Sequence, residues 1–139
     1  MHLKSIAQIA FSLLIAAFFA GCDDGAYINF YDKNHTKIDC LSYIPANSNK
    51  LDTKLAKLYN FNQNCKYKLQ LEYSGGIVCN SSYNASTKAT TNFPNAYIRL
   101  EVKDGFKTYY SYYKDLNSNP DTSDLERAFD RLQDDILAK

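Results

Sequence analysis

The sequence predicts an α+β domain over residues 26–139, in which helices cover one face of an antiparallel sheet of five or six strands. Several segments alternate apolar and polar residues, as half-buried strands do, and two segments have the apolar spacing of a helix. Each helix has a single apolar stripe that needs a partner, so the helices should pack on the sheet. An Ig-like or transthyretin-like β-sandwich with an appended helix is the alternative fold.

Two strands and a short helix are expected in the first part of the domain. Ala26 to Tyr31 and Lys37 to Ile44 are rich in strand-forming residues, the polar turn 32–36 separates them, and Pro45 ends the second. A helix should follow, because its apolar positions recur at helical spacing: Leu51, Leu55, Leu58 and Tyr59. Ser48 or Asn49 can cap its N-terminus.

The third strand alternates strictly from residue 65 to 73, with Tyr67, Leu69, Leu71 and Tyr73 on one face. If 74–76 forms a hairpin turn, Tyr73 faces Ile77 and Leu71 faces Cys79. Residues 80–95 are rich in Ser, Thr and Asn, which indicates a loop.

Residues 97–113 form the strongest predicted hairpin, because Asp104-Gly105 lies between two strand-forming runs. A three-residue loop 103–105 sets Val102 opposite Phe106 and Glu101 opposite Lys107. In this register the outer face carries the candidate partner-binding residues, which are Tyr97, Arg99, Tyr109 and Tyr113. Tyrosines on an exposed sheet face are typical of protein recognition sites.

A C-terminal amphipathic helix completes the predicted domain. Ser123 to Glu126 has the pattern of a capping box, and an apolar stripe follows it: Leu125, Ala128, Phe129, Leu132 and Ile136.

Composition excludes several classes of function. The 139 residues include 16 Lys and Arg against 15 Asp and Glu, with no basic run, so a nucleic-acid partner is not expected. Phosphate-binding loops, dinucleotide fingerprints and closely spaced cysteines for a metal are missing from the sequence. The sequence therefore predicts no enzyme, no catalytic residues, no cofactor and no metal, and it leaves the oligomeric state open.

The first 22 residues have the composition of an export signal. Lys4 precedes a mostly apolar run of 15 residues, Ile6 to Ala20, which is shorter than the roughly 20 residues of a spanning helix. Ala20-Gly21-Cys22 then resembles the lipobox of bacterial lipoproteins, although Phe19 stands where leucine is usual. The resemblance implies a signal peptide over residues 1–21, cleavage before Cys22, and lipid of the palmitate type on that cysteine.

The predicted tether, residues 22–25, is short, so the domain should lie close to a membrane and face the periplasm. Asp23 follows the cysteine directly, which resembles the signal that keeps enteric lipoproteins in the inner membrane.

With Cys22 carrying lipid, three cysteines remain in an oxidising compartment: Cys40, Cys65 and Cys79. In the predicted hairpin, Cys65 and Cys79 lie on the order of 20 Å apart, too far for a disulfide. Cys40 should therefore pair with Cys65 or Cys79, and Cys65 is favoured.

The turn 32–36 contains a candidate modification site. Asn34 heads an Asn-x-Thr sequon, and Asp32 precedes it by two residues, which resembles the acceptor sequence of bacterial oligosaccharyltransferases. Asn34 is thus a conditional glycosylation site.

These observations predict a membrane-anchored envelope lipoprotein that serves as an accessory or protein-interaction component of an envelope assembly. Two alternatives remain open from the sequence. One is a surface-exposed adhesin or host-interaction lipoprotein with a sandwich fold. The other is a carrier of a small ligand or lipid, which would require a cavity between helices and sheet.

Overall fold

The computed structural model describes residues 25–46, 48–77 and 94–138. It contains four strands: β1 (Tyr27–Phe30), β2 (Tyr67–Ser74), β3 (Ala96–Asp104) and β4 (Lys107–Leu116). Two helices accompany them, α1 (Lys50–Leu58) and α2 (Thr122–Ile136). The α+β class is confirmed.

The strands form one antiparallel sheet in the order β1-β4-β3-β2. The prediction of five or six strands was wrong, because the segment from Lys37 to Ile44 is not a strand and makes only two isolated bridges. We call Lys37–Ile44 the crossing segment. Ile38 bridges Leu137 after α2, and Ser42 bridges Lys68 in β2. This segment crosses from the end of α2 to the edge of the sheet, so its hydrogen bonds go to two different elements. Because the described strands form a single sheet, the sandwich alternative does not apply to this part of the chain.

Both helices lie on the same face of the sheet. The two helices contact each other, and α2 packs on β3 and β4. The predicted stripe of α2 is confirmed, since all five of its residues are buried. They meet alternate residues of the strands, such as Leu69, Ile98, Leu100, Val102, Tyr110 and Tyr112. No described helix covers the opposite face, which we call the outer face.

The helix caps are confirmed in one case and corrected in the other. Asn49 caps α1, and its side-chain oxygen accepts a hydrogen bond from the Asp52 amide at 2.9 Å. The capping box of α2 is formed by Asp121 and Asp124, two residues before the predicted pair. An aspartate satisfies the same free amides as a serine does, so the shift adds two residues to the helix without changing its apolar stripe.

The predicted register of the β3–β4 hairpin was wrong. The turn contains two residues, Gly105 and Phe106, and a bulge between Val102 and Lys103 shifts the pairing. Val102 therefore faces Tyr110 rather than Phe106, and Glu101 faces Ser111 rather than Lys107. A bulge adds one residue to one strand, and no local pattern in the sequence predicts where this bulge lies.

The predicted disulfide between Cys40 and Cys65 is confirmed. It fixes the crossing segment to the start of β2, with the two Cα atoms 6.0 Å apart. The predicted pairing of Ile77 with Tyr73 was wrong, because the Ile77 amide donates to Asn95. Cys22, Cys79 and most of the predicted loop 80–95 lie outside the described residues.

Candidate functional site

The outer face carries a row of three tyrosines that crosses three strands. Tyr27 on β1 pairs with Tyr113 on β4, and their ring centroids are 6.3 Å apart. Tyr97 on β3 stacks on Tyr113 with a centroid distance of 5.6 Å and an angle of 24° between the planes. We call these three residues the tyrosine row. The rings support one another, so the row presents its contact area with little freedom left to lose on binding.

Charged side chains continue the row toward β2. The Tyr97 hydroxyl donates to Glu72 Oε1 at 2.7 Å, and Arg99 lies 3.4 Å from the other oxygen of Glu72. Arg99 also pairs with Glu101, whose side chain is largely buried under Arg99 and Lys103. One guanidinium thus serves two carboxylates, which holds the charged part of the outer face in a fixed arrangement.

The hydroxyls of Tyr97 and Tyr113 stay protonated over a wide pH range. The hydrogen bond to Asp115, together with burial, raises the pKa of Tyr113 to about 12. The hydrogen bond to Glu72 raises the pKa of Tyr97 as well. A tyrosine that donates to a carboxylate is a poor general base at neutral pH, so the arrangement suits recognition rather than proton transfer.

An open groove adjoins the charged end of the outer face. It has a volume of about 260 Å³, and it lies where the crossing segment diverges from the edge of β2. Its walls include Arg99 and Glu72 on one side and Ile44 on the other, whose side chain is 78% exposed. The outer face therefore offers aromatic, charged and apolar contacts side by side.

The structure brings together three of the four predicted partner-binding residues, Tyr97, Arg99 and Tyr113. Tyr109 lies elsewhere, because it is the extra residue of the bulge. Its ring packs on Tyr67 at 5.2 Å and its hydroxyl donates to the Thr36 carbonyl, so it belongs to the turn 32–36 rather than to the tyrosine row. Burial and the nearby charge of Asp32 raise the pKa of Tyr109.

Two members of the outer face were missed from the sequence, Tyr27 and Glu72. Period-two alternation along β1 places Tyr27 and Asn29 on one face, and the same rule places Glu72 on the polar face of β2. Neither signal indicates which strands are neighbours. The pairing of β2 with β3 and of β1 with β4 was needed to bring them to Tyr97 and Tyr113.

Hydrogen bonds within the turn 32–36 hold it in a defined conformation. Asp32 accepts hydrogen bonds from the amides of Asn34 and Thr36, and the Thr36 bond is the main reason that the pKa of Asp32 is lowered. His35 adopts a positive φ of 47° and stacks on Phe30 at 4.4 Å. Asn34 is exposed, and its glycosylation remains a prediction.

No group of three or more His, Cys, Asp or Glu residues within the described ranges could hold a metal ion. Among the same residues, no helix has the length and apolar character needed to span a membrane.

The fold and the outer face define the chain as a small α+β domain with one helix-covered sheet face and one exposed, tyrosine-rich face. Comparison with protein-family models, curated proteins and solved structures finds no match to the chain.

Proposed function

We propose that the chain is a non-catalytic lipoprotein of the bacterial envelope, anchored through Cys22, that binds a protein partner with the outer face of its sheet. The tyrosine row, with the neighbouring Arg99, is the observation that carries the proposal. Tyr and Arg are the residues that contribute most to protein interfaces, and here they lie together on a face that the described helices leave uncovered.

The arrangement supports binding in three ways. The rings supply apolar area, and the fixed ion pairs of Arg99 supply directional polar contacts. The groove beside Ile44 gives a partner side chain a place to insert. A sheet is a rigid support, so little ordering is required when a partner binds.

The proposed lipid anchor on Cys22 determines where in the cell the domain is located. Two or three acyl chains on Cys22 would hold the protein firmly in a membrane, whereas one chain binds only marginally. We place the domain on the periplasmic side, and Asp23 after the cysteine favours the inner membrane.

The carrier alternative has less support from the described core. Side chains at the junction of sheet and α2, such as Leu100, Phe129 and Leu132, are buried in one continuous cluster. The groove of about 260 Å³ lies instead at the edge of β2 and opens outward.

Photo-crosslinking in the native envelope tests the proposed interface. A benzophenone amino acid in place of Tyr113 should capture one envelope protein repeatedly, and Tyr97→Ala should abolish the capture because it removes the ring that stacks on position 113. The same probe in place of Thr53, an exposed residue of α1, is the matched control. If both positions capture the same mixture of neighbours, the outer face is not the interface.

A further inference from the structure

One edge of the sheet is only partly paired in the part of the chain that the structure describes. β2 is the last strand on that side, and it has 8 residues, against 4 in β1 at the other edge. Ser42 of the crossing segment bonds to the first half of β2. Its amide donates to the Tyr67 carbonyl and its carbonyl accepts from the Leu69 amide, each at 2.8 Å. The crossing segment thus contacts this edge at one residue and then leaves it.

The second half of β2 has backbone groups that point outward from the same edge. Tyr67 and Leu69 direct their backbone groups away from β3, since both bond to Ser42. Because the pairing of β2 with β3 has no irregularity, Leu71 and Tyr73 direct theirs the same way. Within the described ranges, no residue hydrogen-bonds to these outward groups of Leu71 and Tyr73, so they are open to another strand.

This stretch of β2 lacks the features that natural proteins use to protect a sheet edge. Such edges are usually short, bent by a bulge, or blocked by lysine or proline. Residues 69–74 contain neither lysine nor proline, and no bulge interrupts their pairing with β3. A regular edge of this kind is the surface to which an extended peptide adds by main-chain hydrogen bonds.

The groove beside this edge favours one kind of side chain in an added strand. Its walls include the apolar side chains of Leu71 and Ile44 and the carboxylate of Asp52. Asp52 accepts hydrogen bonds from the hydroxyls of Tyr43 and Tyr73, and the described residues form no ion pair with it. Lysine and arginine have the complementary chemistry, because an apolar stem can lie along Leu71 and Ile44 while the charge approaches the carboxylate.

Charge also favours a basic segment of another protein over a second copy of this chain. The described walls of the groove contain three carboxylates and one cation, and that cation, Arg99, already pairs with Glu72 and Glu101. In a second copy, residues 69–74 contain Glu72 and no cation. Pairing of two β2 edges would therefore bring more negative charge to a groove that already has an excess of it.

We propose that an extended, basic segment of the protein partner adds to the edge of β2 beside Leu71 and Tyr73, and that its lysine or arginine side chain enters the groove toward Asp52. The proposal rests on the proposed function in taking the occupant to be a protein, and it does not depend on the lipid anchor. Glu72 and Arg99 line the groove and also adjoin the tyrosine row, so the added strand continues the outer face.

Amide hydrogen exchange, measured by NMR on the full chain in detergent micelles, tests the state of the edge. The amides of Leu71 and Tyr73 should exchange faster than those of Gln70 and Glu72, which point toward β3 in the same strand. Equal protection of all four amides would overturn the proposal, because the edge would then be covered by the chain itself or by a second copy.

Two synthetic peptides test the occupant. Val-Lys-Val-Lys-Val and its control Val-Glu-Val-Glu-Val share strand-forming valines and differ in the sign of their charge. At about ten times its Kd, the lysine peptide should slow exchange of the Leu71 and Tyr73 amides about tenfold. The glutamate peptide should leave their exchange unchanged. Equal slowing by both peptides would show that charge does not select the occupant, and slowing by neither would show that the edge accepts no strand; either result overturns the proposal.

A cation placed in the groove tests where the side chain lies. Ile44→Lys changes an exposed wall residue, and it should raise the Kd of the lysine peptide about tenfold through repulsion between like charges. Tyr31→Lys makes the same change at an exposed position beyond the other edge strand, and it should leave the Kd unchanged. Equal Kd values for the two variants would overturn the placement of the side chain in the groove.

The peptide tests and the photo-crosslinking test fail separately. If the probe at position 113 captures one partner but the lysine peptide does not protect the edge, the added strand alone is overturned. If the peptide protects the edge but the probe captures no single partner, the outer face is overturned as the interface and the edge of β2 stands as the binding site.

Discussion

At the scale of single residues, hydrogen bonds fix the positions of the described elements. They join hydroxyl groups to carboxylates, and they join side chains to the free amides at helix ends. Asp52 of α1 is 3% exposed and accepts a 2.7 Å hydrogen bond from Tyr43 of the crossing segment. Tyr110 of β4 donates to Asp135 of α2 at 2.9 Å. A buried polar group without a hydrogen-bond partner costs free energy. The Tyr43–Asp52 pair therefore favours one position of the crossing segment against α1, and the Tyr110–Asp135 pair favours one position of β4 against α2.

The cap of α1 can be tested directly. Asn49→Ala removes the side-chain oxygen that accepts from the Asp52 amide, and it should lower the free energy of unfolding by about 1 kcal/mol. Ser48→Ala is the matched control, since Ser48 is exposed and precedes the cap. Urea unfolding followed by circular dichroism measures both variants. Equal stability of the two variants would show that Asn49 does not act as the cap.

Stability should also fall at alkaline pH. The pKa of Tyr113 is raised in the folded protein to about 12, against about 10 in an unfolded chain. The folded state thus holds the proton more tightly, and this stabilisation is fully present below about pH 10 and is lost as pH rises through about 12. The midpoint of urea unfolding should therefore drop over this range, and Tyr113→Phe should reduce the drop. A variant with the same pH dependence as the wild type would contradict the assignment.

Sequence reasoning at this scale succeeded where the signal was local. The cap at Asn49 follows from its position just before an apolar stripe, and the alternation along residues 65–73 correctly predicted which side of β2 faces the core. Tyr109 was misplaced because its orientation depends on a bulge, which is decided by the pairing of two strands and not by either strand alone.

At the scale of elements, the β3–β4 hairpin determines which residues reach the outer face. The bulge after Val102 shifts the register, yet Tyr97, Arg99 and Tyr113 still share a face because all three lie on the same side of the bulge, where both strands alternate regularly. The crossing segment was predicted to be a strand of the sheet, and this prediction was wrong. Its strand-like composition reflects burial of Ile38, Leu41 and Tyr43 against other elements, and composition alone does not distinguish this burial from membership of a sheet.

The turn of this hairpin gives a further test. Gly105 has a φ of +61°, which an alanine adopts only with strain, so Gly105→Ala should cost about 1 kcal/mol of stability. Phe106→Ser is the control, because Phe106 is fully exposed and its removal should change stability by less than about 0.5 kcal/mol. Thermal unfolding of the two variants decides the point. A Gly105→Ala protein as stable as the wild type would argue against the left-handed turn.

At the scale of the whole molecule, a covalent bond ties the crossing segment to the start of β2. The chain from 31 to 46 leaves β1 at one edge of the sheet, passes the end of α2 and reaches β2 at the other edge. Along this path Lys37 donates to the last carbonyls of α2, and the disulfide of Cys40 joins the segment to Cys65. Backbone hydrogen bonds hold the segment at Ile38 and at Ser42, and the disulfide adds a covalent link between these two points.

Removal of the disulfide should therefore be costly. The bond closes a loop across 25 residues, and the double substitution Cys40→Ala with Cys65→Ala should lower the free energy of unfolding by about 3 kcal/mol. Cys79→Ser is the control, and it should leave the disulfide and the stability unchanged because Cys79 has no role in the pair. Urea unfolding under oxidising conditions compares them. A large loss of stability in Cys79→Ser alone would show that Cys79 takes part in the native disulfide.

The sequence predicted the class of the fold, because helical and strand periodicities are local. It also favoured the pairing of Cys40 with Cys65, but the hairpin from which the cysteine distances were bounded does not form, since the Ile77 amide donates to Asn95 instead of pairing with β2. The sequence did not predict the number of strands or their order. Those depend on which apolar stripes meet in space: β1 and the crossing segment both have the local pattern of a strand, but only β1 joins the sheet as one. For the same reason Tyr27 and Glu72 could not be assigned to the outer face in advance.

We propose that lipid on Cys22 holds the domain at a membrane. The intact mass of the protein extracted from its native membranes tests this proposal most directly. We expect a chain that lacks residues 1–21 and carries the added mass of two or three acyl chains on the cysteine. A chain that retains residues 1–21, or a cleaved chain without lipid, would contradict it.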